Sequence, residues 1–86
     1  MTLLAELKLT TVDDVMRFAK LAANQEGDIL VKHNNYIVDG SSILGILSLN
    51  LSEPVTVEMI EKKENEAINF FNDLMESGIK ITRMEG

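Results

Sequence analysis

The chain has 86 residues, 45% of them hydrophobic, enough for one small domain over residues 1–86 and too few for two. Fourteen acids against eight bases give a formal charge of -6 at pH 7, which argues against nucleic acid or an anionic membrane surface as a partner. Without cysteine, neither a disulfide nor a thiolate metal site can hold the fold, so a reducing cytoplasm is the natural compartment.

Leu3, Ala5, Leu7 and Leu9 alternate with Leu4, Glu6, Lys8 and Thr10, the period of a strand with one buried face. Glu6 and Lys8 interrupt this start, so no leader pattern is present, and no later run approaches the roughly 20 apolar residues of a membrane span. Thr11 is placed to cap a helix running from about Val12 to Asn24, with Asp13 and Asp14 in its positive first turn. The helical stripe Val12, Val15, Met16, Phe18, Ala19, Ala22 and Ala23 is expected to face a sheet. Ile29 to His33 and Tyr36 to Asp39 then predict a hairpin turning at Asn34-Asn35, because asparagine tolerates positive φ.

Asp39-Gly40-Ser41-Ser42 ends that pattern and supplies a cap for a short helix from Ile43 to Leu49. Ile46 and Leu49 fall on one side of it and Ile43, Leu44 and Leu47 on another, so burying the first side leaves a surplus apolar cluster. Pro54 to Ile60 predicts a fourth strand and Lys62 to Ser77 a third helix, with Ala67, Ile68, Phe71, Leu74 and Met75 buried and Gly78 as its C-terminal cap. The order β-α-β-β-α-β-α implies an α+β fold, an open-faced sandwich of four mainly antiparallel strands with three helices on one side.

The residues offer little to ordinary catalysis. Nucleotide-binding glycine motifs are missing, and with no cysteine and one histidine, multi-histidine metal sites and most nucleophile-imidazole pairs are excluded, so no cofactor or metal is expected. Asp13 and Asp14 diverge by about 100° on a helix and read as first-turn charges. A phosphoryl carrier using an acyl phosphate on either remains an alternative, although an activated carboxylate needs a metal and a cationic partner that this stretch lacks. His33 reads as a partly covered strand-end histidine, and the seven acids and two bases of Glu53 to Glu76 as a solvated face. Ser42 caps a helix, a place where a phosphate would meet backbone N–H groups without unfolding the domain. The cluster beside it is a candidate docking patch, or alternatively a homodimer contact or a surface covered by the C-terminal tail.

The order of elements and the segment Tyr36-Ile-Val-Asp-Gly-Ser-Ser-Ile-Leu-Gly-Ile-Leu-Ser-Leu49 resemble the histidine-containing phosphocarrier (HPr) family of the bacterial sugar phosphotransferase system, whose second helix carries Ser-Ile-Met-Gly-Val-Met-Ser-Leu. The resemblance covers the whole chain and implies the strand order 1-4-2-3. It makes Ser42 the counterpart of the serine phosphorylated by the family's regulatory kinase, and Ile43, Leu44 and Leu47 counterparts of the partner-binding patch. The family's Gly-[Ile/Leu]-His-x-Arg-Pro stretch is absent: counting back from Ser42 places Thr11 at the histidine and Asp13 at the arginine. Phosphothreonine is a stable ester rather than a transferable phosphoramidate, and Asp13 would repel the phosphoryl group that an arginine attracts. Ser41 stands where the family has a lysine, and Asp39 brings a further negative charge near Ser42.

Relatives without the histidine but with the serine act in carbon catabolite regulation. The resemblance therefore implies a cytoplasmic, non-enzymatic HPr-like regulator with phosphorylation of Ser42 as a candidate switch. Its partner would be a transcriptional regulator or a phosphotransferase component held by the second helix, with a serine kinase acting on it. A monomer or weak homodimer is expected, the homodimeric structural module being a further alternative.

Overall fold

The computed structural model describes residues 2–60 and 63–85. Period-two segments form β1 (Thr2–Lys8), β2 (Ile29–His33), β3 (Tyr36–Asp39) and β4 (Val55–Ile60), and a fifth strand, β5 (Lys80–Glu85), follows the last helix. All neighbours pair antiparallel in the order β3-β2-β4-β1-β5. The expected order 1-4-2-3 is therefore present, and the expectation of four strands is corrected to five by the addition of β5 along the free side of β1. Against β1, β5 carries a bulge: Glu6 pairs with Arg83 and Leu7 with Ile81, which leaves Thr82 as the extra residue. The Thr82 hydroxyl fills the irregularity by donating to the Glu6 backbone carbonyl at 3.1 Å.

One face of the sheet presents Leu3, Ala5, Leu7, Ile29, Val31, Val55, Val57 and Met59, all buried under the helices. The other face alternates with it and remains half-buried, with Lys32 and Glu58 ion-paired across β2 and β4. Three helices, α1 (Val12–Ala23), α2 (Ile43–Leu47) and α3 (Glu64–Glu76), contribute to a single core. Phe18 of α1 meets Phe70 of α3 edge to face with centroids 6.1 Å apart, a geometry favoured by the ring quadrupoles. Among the described residues, no helix is long and apolar enough to cross a membrane.

The buried stripes are narrower than the sequence pattern. On α1, Val12, Met16 and Ala23 are exposed, while Val15, Phe18, Ala19 and Ala22 are buried. On α3 the core set is Ala67, Phe70, Phe71 and Leu74, and Ile68 and Met75 face solvent. A helix lying on a sheet buries only the residues beneath its axis, and here the large Phe70 occupies that line while the flanking apolar residues remain at its margins.

Two turns need positive φ, at Asn34 and Gly78, and a third position, Gly40, needs the absence of a side chain. Asn34 turns the β2–β3 hairpin at φ 54°, as the asparagine pair predicts. Gly40 follows β3 so closely against β2 that a Cβ there would lie 2.8 Å from the Ile29 side chain and 2.9 Å from its carbonyl oxygen, so only glycine passes. Gly78 closes α3 in the left-handed region at φ 91°, and Ile79 donates its N–H back to the Leu74 carbonyl at 3.0 Å, which sends the chain into β5.

Candidate functional site

Gly40 delivers the chain to Ser42, which caps α2. The Ser42 Oγ accepts from the Gly45 N–H at 3.1 Å, and its carbonyl accepts the first helical bond from Ile46. A Cβ on Gly45 would stand 2.9 Å from Ser42 Oγ and 3.2 Å from Val38 Cβ, so the glycine lets the helix settle onto β3 with the cap intact. Ile46 is wholly buried and Leu49 nearly so, which anchors the helix as its periodicity predicts. The other side emerges into solvent: Leu44 is 82% exposed, flanked by Ile43 at 38% and Leu47 at 37%. The C-terminal tail does not cover this cluster, because it forms β5 on the opposite edge of the sheet from β3, against which α2 lies.

Asp39 shapes the approach to Ser42. Its Oδ1 accepts from both the N–H (2.8 Å) and the hydroxyl (2.6 Å) of Ser41. Those two hydrogen bonds hold the Asp39 carboxyl below its ordinary pKa, so it stays charged beside the serine pair.

At the start of α1, Thr11 is the N-cap of a reciprocal capping box: its side chain accepts from the Asp14 N–H at 3.0 Å, and Asp14 reaches back to the Thr11 N–H. Burial penalises the Asp14 charge, but donation from the Thr10 and Thr11 N–H groups and the Arg17 guanidinium outweighs it and holds the carboxyl below its ordinary pKa. Arg17 also pairs with Asp13 at 3.2 Å and donates to the Ser77 carbonyl at the end of α3. The reading that this stretch lacks a cation is thereby corrected: Arg17 serves both aspartates. Asp14 already has both oxygens engaged, and Asp13 projects into solvent.

His33 lies at the end of β2, its side chain 9% exposed and its Nε2 3.2 Å from Glu53 Oε1. It stands at the end of a strand, whereas Thr11 stands at the head of α1. Among the described residues, no group of three or more His, Asp or Glu side chains is placed to hold a metal ion.

The model of the family described as "PTS HPr component phosphorylation site" matches residues 14–77. The chain belongs to the HPr family. The matched span runs from Asp14 through α2 and Ser42 to the end of α3; Thr11 precedes it and β5 follows it. Neither a curated protein nor a solved structure gives a significant match. Membership makes the chain a phosphocarrier-type protein of the phosphotransferase family, whose domains work through contact with other proteins.

The sequence pattern placed Val12 and Met16 in the core, and the HPr fold instead leaves both exposed, one helical turn apart on α1. They sit on the helix headed by Thr11 and add apolar surface that the sequence pattern could not separate from the buried stripe.

Proposed function

We propose that this protein is a non-catalytic, regulatory member of the HPr family that binds a partner protein through α2, with phosphorylation of Ser42 as its switch. The carrying observation is the two-sided α2: a helix fixed from beneath by Ile46 and capped by Ser42 holds Leu44, Ile43 and Leu47 outward. An apolar group held rigidly in water pays little ordering entropy on docking, which favours binding over a purely structural role. A phosphate on Ser42 would add about -1.5 to -2 charges next to this patch and to Asp39, changing which partner surface it tolerates. Support for the non-carrier reading comes from Thr11, which is committed as a cap at the position matching the phosphohistidine by count, and from His33, which faces Glu53 on a strand. Regulation of carbon use by such a module would take place in a bacterial cytoplasm.

An NMR titration of the labelled protein with an HPr-type serine kinase tests the docking surface. Shifts are expected to concentrate at Ile43, Leu44 and Leu47, extending to Val12 and Met16, and to vanish in Leu44→Asp. Shifts centred on another face, or binding unaffected by Leu44→Asp, would remove the proposed patch.

A further inference from the structure

β5 forms the outer edge of the sheet beyond β1 and lies past the residues matched by the family. Its bulge fixes which side each residue faces. Lys80, Arg83 and Glu85 pair with Lys8, Glu6 and Leu4 on the open face, whereas Ile81 and Met84 pair with Leu7 and Ala5 on the helix face. Thr82, the extra residue, turns to the open face, where its hydroxyl meets Glu6 Oε1 at 3.0 Å.

An edge strand that pairs with a second copy of itself about a twofold axis must set residues of the same face opposite one another. In a regular strand this requires each residue to face one an even number of positions away. The bulge reverses that parity, and only one register then matches faces along the whole of β5: Lys80 opposite Glu85, Ile81 opposite Met84, and Thr82 opposite Arg83. That register places a cation against an anion twice and an apolar pair twice, each favourable across a strand pair. Beside the same edge, a cleft of about 170 Å³ between the sheet and α3 is lined by Leu3, Ala67, Ile68, Phe71 and Met84, with Glu64 and Glu85 at its charged margin. Ile68 and Met84 are about half exposed, so the cleft presents apolar surface on the side where the second copy's Ile81 and Met84 would arrive.

We infer that β5 is a self-association edge, through which two copies of this chain join their sheets antiparallel in that single register. The occupant is a second copy because the edge is complementary to itself in face, charge and apolar pairing at once.

Sedimentation equilibrium of the full chain over a concentration series, up to about 1 mM to capture weak association, tests the inference by charge reversal. The protein is expected to dimerise. Lys80→Glu and Glu85→Lys each oppose like charges twice across the axis and should weaken the dimer about tenfold or more. The double variant restores opposite charges and should recover most of the affinity, while circular dichroism verifies that each variant is folded. A monomer at every concentration, a dimer indifferent to both reversals, or a double variant no better than the singles would overturn the inference. So would a dimer abolished by Leu44→Asp and untouched by the reversals, which would place the contact on α2.

Discussion

Leu44 and Ile46 stand two positions apart on one short helix and do opposite work. Ile46 has no exposure, so Ile46→Ala should cost about 2–4 kcal/mol of stability, measured by denaturant unfolding. Leu44→Asp, on the exposed side, should stay within about 0.5 kcal/mol. Equal losses from the two would show that Leu44 is core and sink its docking role. Gly45 belongs to the buried half: Gly45→Ala should lose about 1–3 kcal/mol because the added methyl presses on Ser42 Oγ and Val38. At the head of α1, Asp14→Asn should lower stability by about 0.5–2 kcal/mol at pH 7, since the carboxylate serves two backbone N–H groups and Arg17. Its pKa is depressed in the folded state, so this stabilisation is complete above the unfolded pKa near 4 and is lost as pH falls through the lower folded value. Thermal melts of the two proteins should therefore converge in acid; a gap that persists unchanged there would mean that the Asp14 charge contributes nothing.

At the scale of elements, legibility followed how cleanly each segment obeyed one period. The β2–β3 hairpin was readable because Asn34-Asn35 lies between two alternating runs, and α2 because its two apolar sides diverge. α3 was readable as a helix but not in its orientation: Ala67, Ile68, Phe70, Phe71, Leu74 and Met75 span a wider arc than a sheet can cover, and packing chose Phe70 over Ile68. β5 was hidden by its own bulge, since the extra Thr82 spaces Ile81 and Met84 three apart and breaks the period of two. The candidate site divided in the same way. Ser42 and the patch of Ile43, Leu44 and Leu47 were visible as a cap followed by a surplus of apolar residues, whereas the exposure of Val12 and Met16 depends on how α1 sits against the sheet. The role of Arg17 was likewise out of reach, because its contact with the Ser77 carbonyl joins segments 60 residues apart.

At the scale of the molecule, the HPr fold separates two surfaces on which phosphoryl chemistry could be sought. The head of α1 holds Thr11 and Asp14 in a closed capping box with Arg17 across both aspartates, and the head of α2 holds Ser42 beside an exposed apolar patch. In the proposed function, regulation belongs to the second surface and no phosphoryl transfer occurs at the first. Intact-mass spectrometry after two parallel incubations tests this most directly, one with ATP and an HPr-type serine kinase, the other with phosphoenolpyruvate and the first enzyme of the phosphotransferase system. The proposed function requires one phosphate in the first, absent from Ser42→Ala, and none in the second. A phosphate acquired from phosphoenolpyruvate would contradict it and return the protein to the carriers.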